Sequence, residues 1–273
     1  MRFLKFYLCL LILSFNNFIL EGSRSMIIAH RGASGYAAEN SKSSFKKAIE
    51  FDVEMVEFDV HKCKSNDIIV MHDTTLDRTT NGRGLISEKT LDELKSLRLK
   101  DGSQILTLSE VLDVLNPKSS VVLDIKEEGI ASQLASTIND YVENKNWNKE
   151  QFFATGFQHN ELKLLKDLCP FIKLMPSAIF TPYKFAKVAK EMGAYGVCLI
   201  NIENCFSESL AKDIKDEGLK LWAWTPDESI QAIKRLKKFD VDAIMVDFPD
   251  DLKKIFAEIA KQDEIKRQKR LQC

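Results

Sequence analysis

From Val121 onward the chain repeats one rhythm, a short apolar, β-branched run followed by a segment of helical spacing. The pairs are 121–125 with 130–143, 152–154 with 161–168, 173–179 with 183–192, 196–200 with 208–217, 219–224 with 229–239, and 243–246 with 252–265. Strands separated by helices of this length run parallel, because each helix returns the chain to the edge where the previous strand began. Two upstream runs, 26–29 and 55–60, bring the count to eight strand–helix units. The expected fold is α/β, a (β/α)8 TIM barrel forming a single domain over 26–273, with an open doubly wound sheet as the alternative. At 273 residues and 45% hydrophobic content the chain can bury such a core. A fourth apolar run, 68–71, follows the second barrel strand. The less regular stretch of about 73–117 is expected to be a small insertion there. It holds a short helix at 88–97 and another at 108–115, the latter capped by Thr107 with Glu110 completing a capping box.

Barrels of this kind do chemistry at the C-terminal ends of their strands. Glu57 and Asp59, two apart on one strand, project to the same face. Bare like charges that close repel, so a hard divalent cation with oxygen ligands is expected between them. Strand 1 ends in His30-Arg31, and the run IIVMHD ends in His72-Asp73. Asp124 and Lys126 repeat the two-residue spacing on strand 3. Two histidines, three acids and two bases on one rim suit metal-assisted phosphoryl or acyl transfer. Of Trp222 and Trp224, which share a strand face, one is expected deeper in the core. His61 extends the Glu57–Asp59 face but lies beyond the expected strand end. His159 is expected on the surface, and Asp247 as a structural cap in the last loop. Arg78 and the Gly82/Gly84 turn are expected to fix the loop carrying His72.

Formal net charge is −1, which gives no reason to expect a nucleic-acid partner, so any phosphate site must be basic locally. Residues 1–25 have a basic start, an interrupted apolar stretch and a small, polar end. This is the pattern of a secretory signal peptide, which predicts a secreted or periplasmic protein; an N-terminal membrane anchor or a buried first helix is the alternative. No second long apolar run follows, so no stable membrane span is expected in the mature chain. The six cysteines match no zinc spacing; a Cys198–Cys205 link or buried free thiols are both open.

Five blocks, in order, resemble the glycerophosphodiester phosphodiesterase family: HRGASGYAAENS (30–41), VEFDVHKCKSNDIIVMHDTTLDRTTNGRG (56–84), LDIK (123–126), WAWTPDE (222–228) and VDAIMVDFPD (241–250). The resemblance spans nearly everything after the leader. It implies a TIM barrel with a small insertion after the second strand. It also implies hydrolysis of small-molecule glycerophosphodiesters to sn-glycerol 3-phosphate and an alcohol, with one divalent cation, Ca2+ or Mg2+. By the same resemblance Glu57, Asp59 and Asp124 are the metal carboxylates, and His30 and His72 the acid/base pair. Arg31 becomes the phosphate-binding arginine and Lys126 the active-site lysine. Glu39 is expected to orient His30 or Arg31 or to bind the ion, and Trp224 to stack on the glycerol or the alcohol. Three positions depart from the family pattern. The third metal ligand is usually Glu and is here Asp124. The usual P-E-N-T reads Ala38-Glu39-Asn40-Ser41, and the usual G-A-D reads Asp52-Val53-Glu54. A sphingomyelinase D-like phospholipase on the same barrel is a second reading, against which the 73–84 block and the insertion both count. A secreted barrel that binds without catalysing is the third, left open only by Asp124.

Overall fold

The computed structural model describes residues 25–179, 184–202 and 206–271. In chain order its main elements are β1 (Met26–Ala29), α1 (Lys42–Glu50), β2 (Met55–Lys62), β3 (Ile68–Val70), α2 (Leu91–Ser96), β4 (Leu106–Thr107) and α3 (Leu108–Leu115). There follow β5 (Ser120–Ile125), α4 (Ala131–Asn144), β6 (Phe152–Gly156), α5 (His159–Leu168), β7 (Lys173–Ala178) and α6 (Phe185–Glu191). The chain continues with β8 (Gly196–Ile200), α7 (Glu208–Asp216), β9 (Lys220–Trp224), α8 (Ile230–Lys238), β10 (Ala243–Val246) and α9 (Pro249–Leu271). Strands β1, β2 and β5 to β10 pair in parallel, and β1 joins both β10 and β2, so the eight-stranded barrel closes. This is the (β/α)8 barrel that the strand–helix rhythm predicts.

The period of two along each strand sorts side chains into two shells. Outward residues such as Val56, Phe58, Leu123 and Leu221 join the layer between barrel and helices. Inward residues Ile28, Met55, Val122, Phe153, Met175, Cys198, Trp222 and Met245 form a separate apolar plug inside the barrel. On β1, β2, β5 and β10 the next inward positions toward the strand ends are polar, namely His30, Glu57 with Asp59, Asp124 and Asp247, whereas on β8 and β9 they are Ile200 and Trp224. The plug therefore acts as a dry floor on which the polar layer stands. Trp222, fully buried, is the deeper of the two tryptophans.

β2 outruns its barrel neighbours. Its last residues pair antiparallel with β3, Val60 opposite Val70 and Lys62 opposite Ile68, and β3 pairs antiparallel with β4. This added ribbon and its loops bury a small core of their own, including Ile69, Met71, Leu76, Ile86, Leu94 and Ile105. Helix α3 belongs instead with the main barrel layer, where Leu108, Val111, Leu112 and Leu115 are buried. Its capping box forms as expected, Thr107 accepting from the Glu110 amide and Glu110 from that of Thr107. The helix expected at 88–97 is shorter. A 3-10 turn at Ile86–Glu88 comes first, and Thr90 and Glu93 cap α2 reciprocally, which starts it at Leu91. The last helix, α9, runs on to Leu271, past the expected 252–265, although its last buried residue is Ile259. Cys63, Cys169 and Cys198 are buried free thiols, whereas Cys205 lies outside the described residues. Residues 1–24, all but the last of the stretch read as a signal peptide, also lie outside them. Among the described residues no helix is long and apolar enough to cross a membrane.

Candidate active site

Asp59 of β2 stands opposite Asp124 of β5 in the parallel register. With Glu57, two residues below, they bring three carboxylates together, one oxygen from each lying within 4.8 Å of the others. Glu57 and Asp59 are fully buried. Burial, together with the charges of Asp59 and Asp124, pushes the Glu57 carboxyl well above its usual range. Burial works the same way on Asp59, but the Lys126 ammonium and Arg31 guanidinium outweigh it and hold that carboxyl low. Lys126 Nζ lies 2.8 Å from Asp59 Oδ1 and 2.5 Å from Asp124 Oδ2. Asn40 donates its side-chain amide to Asp59 Oδ2 at 2.7 Å. Asp124 Oδ1 is buried and has no hydrogen-bond partner. Three converging acids, one bearing an orphaned oxygen and another forced toward protonation, match the donor set of a hard divalent cation, so Glu57, Asp59 and Asp124 fit such an ion.

The loop after β1 forms one arm over this cluster. Closure of β10 against β1 pairs Ala29 with Val246, so His30 and Asp247 follow side by side. His30 Nδ1 lies 2.7 Å from Asp247 Oδ1; the carboxylate accepts, so Nδ1 carries the proton. Ser34 Oγ donates to the same oxygen, and Glu228 accepts the backbone N–H groups of Asp247 and Phe248. Trp224 packs beside the His30 ring, centroids 5.4 Å apart. Arg31 occupies the left-handed region at φ 53°. Its amide donates to Glu57 Oε2 at 2.8 Å and its carbonyl accepts from the Asn40 amide. These bonds hold a conformation that costs a non-glycine residue about 1 kcal/mol. Its guanidinium reaches Glu39 Oε1 at 3.0 Å and Asp59 Oδ2 at 3.3 Å.

The added ribbon supplies the other arm. β3 ends at Val70, and His72 lies just past it with Nδ1 2.7 Å from Asp73 Oδ1. Burial, helped by Arg31 and Lys126, keeps the His72 imidazole below its ordinary pKa despite the nearby Asp59. The backbone beneath is fixed by His61, whose Nε2 donates to the His72 carbonyl at 3.1 Å. Arg78 spans from Asp73 to Glu39.

His30, Arg31, His72, Asp124 and Lys126, together with Phe157, Leu199, Ile200 and Trp224, line one cleft at the C-terminal mouth of the barrel, and Glu57 and Asp59 lie buried beside Asp124. The predicted residues Glu57, Asp59, Asp124, Lys126, His30, Arg31, His72 and Trp224 thus come together. Glu39 stands behind Arg31, both its oxygens taken by Arg31 and Arg78. Three placements differ from expectation. Asp247 is a hydrogen-bond partner of His30 rather than a loop cap. His61, buried, supports His72 from below. His159 is half-buried, with Nε2 donating to the Ser177 carbonyl at 3.0 Å. Sequence reasoning also passed over Asn40 and Glu228. Asn40 sits inside the Ala38–Ser41 run, where an Asn beside a turn is a usable signal; Glu228 carries no local signal.

A parallel barrel with an acidic, histidine-flanked cleft at its strand ends is the architecture of a hydrolase of phosphate esters. The chain belongs to the glycerophosphoryl diester phosphodiesterase family, whose model matches residues 30–251. It is 32% identical over 245 residues to a glycerophosphodiester phosphodiesterase of Caldanaerobacter subterraneus subsp. tengcongensis, covering 84% of this chain and 96% of that one. A Bacillus subtilis glycerophosphodiester phosphodiesterase is 25% identical over 260 residues, covering 87% and 88% of the two chains. Among solved structures, a phosphodiesterase from Oleispira antarctica in complex with the product sn-glycerol-3-phosphate superposes with a TM-score of 0.77 at 25% identity. That match covers 87% of this chain and 98% of the other.

Proposed function

We propose that this protein hydrolyses glycerophosphodiesters to sn-glycerol 3-phosphate and an alcohol, using one Ca2+ or Mg2+ ion. The observation that carries the reading is the three-carboxylate cluster beside a cleft lined by two histidines, each paired with an aspartate. The family supports it, as does the neighbour solved with sn-glycerol-3-phosphate. A divalent cation held by Glu57, Asp59 and Asp124 would neutralise phosphate charge and polarise its oxygens. Arg31 grips phosphate oxygens with its planar fork. Lys126 offsets the negative charge that grows in the transition state. His30 and His72, each with Nδ1 committed to an aspartate, use Nε2 for the two proton transfers. One takes the proton of the attacking oxygen, and the other delivers one to the departing alcohol as its P–O bond breaks. Glu39 keeps Arg31 aimed, and Trp224 walls the cleft beside His30. The signal-peptide pattern of residues 1–25 supports secretion or export to a periplasm, which N-terminal sequencing of the mature protein tests.

The decisive experiment is a panel of glycerophosphodiesters, with glycerol 3-phosphate release followed in Ca2+ and in Mg2+ and intact sphingomyelin run alongside. Release from the diesters is expected, together with loss of about 100-fold or more in His30→Ala and in His72→Ala. Cleavage of sphingomyelin alone, or full activity in the double variant, would overturn the reading.

A further inference from the structure

We infer that Arg78 is a positioning residue that sets Arg31 and His72 in a common frame, tying the phosphate grip to the proton-transfer group. The inference rests on the function proposed above. Arg78 lies in the loop beyond β3, on the rim of the barrel. Its Nη1 and Nη2 donate to the two Glu39 oxygens, each at 2.7 Å. Its Nε and Nη2 donate to the two Asp73 oxygens at 2.7 and 2.9 Å. Each carboxylate passes the constraint on. Glu39 Oε1 also accepts from Arg31 Nη1, and Asp73 Oδ1 also accepts from His72 Nδ1. A continuous chain therefore runs Arg31–Glu39–Arg78–Asp73–His72, joining the loop after β1 to the ribbon grown from β2.

Four of the five guanidinium N–H donors are committed, in a fixed plane that fits two carboxylates at once. A lysine at this position carries the charge but not the double fork. The Arg78 side chain is 46% exposed. Exposed ion pairs add little to stability, so bonding this complete on the rim argues for a geometric task rather than for holding the fold. The same Arg78 hydrogen bonds hold the Asp73 carboxyl far below its usual range, so Asp73 stays an acceptor for His72 Nδ1.

Kinetics of Glu39→Gln, Asp73→Asn, Arg78→Ala and Arg78→Lys on a hydrolysed diester test this, with thermal unfolding of each variant as a control. Glu39→Gln is expected to raise KM through Arg31, and Asp73→Asn to lower kcat through His72. Arg78→Ala should do both, with kcat/KM down about 10- to 100-fold, the range seen when a group that orients a site residue is lost. Arg78→Lys should fall nearly as far, and added ethylguanidinium should restore Arg78→Ala, all at an unchanged unfolding midpoint. Wild-type kcat and KM in Arg78→Ala, or a loss that tracks a lowered midpoint and is not rescued, would overturn the inference. A parallel calorimetric titration with inorganic phosphate needs no turnover. Should wild-type protein prove inert toward every diester, the functional reading fails. In that case weaker phosphate binding in Arg78→Ala supports its hold on Arg31, and unchanged binding overturns it.

Discussion

His30 Nδ1 and Asp247 Oδ1 meet at 2.7 Å although 217 residues separate them in the chain. The contact exists because β10 closes against β1 with Val246 opposite Ala29. It commits His30 Nδ1 as a donor and leaves Nε2 for chemistry. Asp247→Asn can present its N–H2 group to Nδ1, which favours the opposite tautomer. We expect kcat to fall at least about 10- to 100-fold with the fold retained, the size seen when the partner orienting a catalytic imidazole is altered. Steady-state kinetics with a circular dichroism control measure this, and an unchanged kcat would separate Asp247 from the reaction.

The buried acids make a prediction that needs no substrate. An ion that binds the folded chain but not the unfolded one stabilises by mass action, about 2.7 kcal/mol at a hundredfold excess over Kd. Thermal unfolding should shift upward with Ca2+ or Mg2+, return with EDTA, and lose the shift in Glu57→Gln or Asp59→Asn. A midpoint indifferent to both ions would leave the carboxylate cluster without its proposed occupant. Activity should likewise vanish on chelation and return with the ion.

Glu228 should give the protein a pH-dependent stability. Burial raises its carboxyl from 4.5 to about 7, against the opposing pull of the Asp247 and Phe248 backbone N–H groups. A raised folded pKa favours the protonated native state. The stabilisation is fully present below pH 4.5 and is lost as pH rises through 7. Relative to Glu228→Gln, the wild-type unfolding midpoint should therefore decline between about pH 5 and 7.5. Parallel curves for the two proteins across that window would contradict the assignment.

Gly32 tests the backbone of the first arm. It sits at φ 76°, and a Cβ there would lie 2.5 Å from Ser44 Oγ and 2.7 Å from the Ser44 carbonyl carbon. Ser44 cannot retreat freely, since its hydroxyl bonds the Arg31 carbonyl and caps α1. Gly32→Ala should cost about 2 kcal/mol or more in urea unfolding, strain and overlap combined. A loss below 0.5 kcal/mol, on the order of a neutral surface change, would show that the loop relaxes without penalty.

Residues whose meaning is local were legible before any coordinates. Glu57 with Asp59, and Asp124 with Lys126, declare a shared face through their two-residue spacing, and the strand–helix rhythm places both pairs on neighbouring staves. The partners of those residues were less visible. Asp247 is an ordinary acid at a strand end until barrel closure sets it against His30. Glu228 acts through two amides of another loop, a contact that no periodicity announces. His61 falls outside the apolar run 55–60, whereas pairing with β3 carries β2 to Lys62 and makes His61 a prop under His72. In each case the missing information was tertiary: which strand closes on which, and how far one strand extends.

The ribbon that carries His72 has a consequence for how such an enzyme can vary. Glu57 and Asp59 lie on β2, Met55–Lys62, and His72 lies just past β3, Ile68–Val70, which pairs back on the end of β2. The reach from imidazole to carboxylate is thus metered by ladder pairing, and adding or deleting one residue in 63–67 would rotate the imidazole to the ribbon's far side. The hairpin should therefore behave as an inflexible ruler between imidazole and carboxylates.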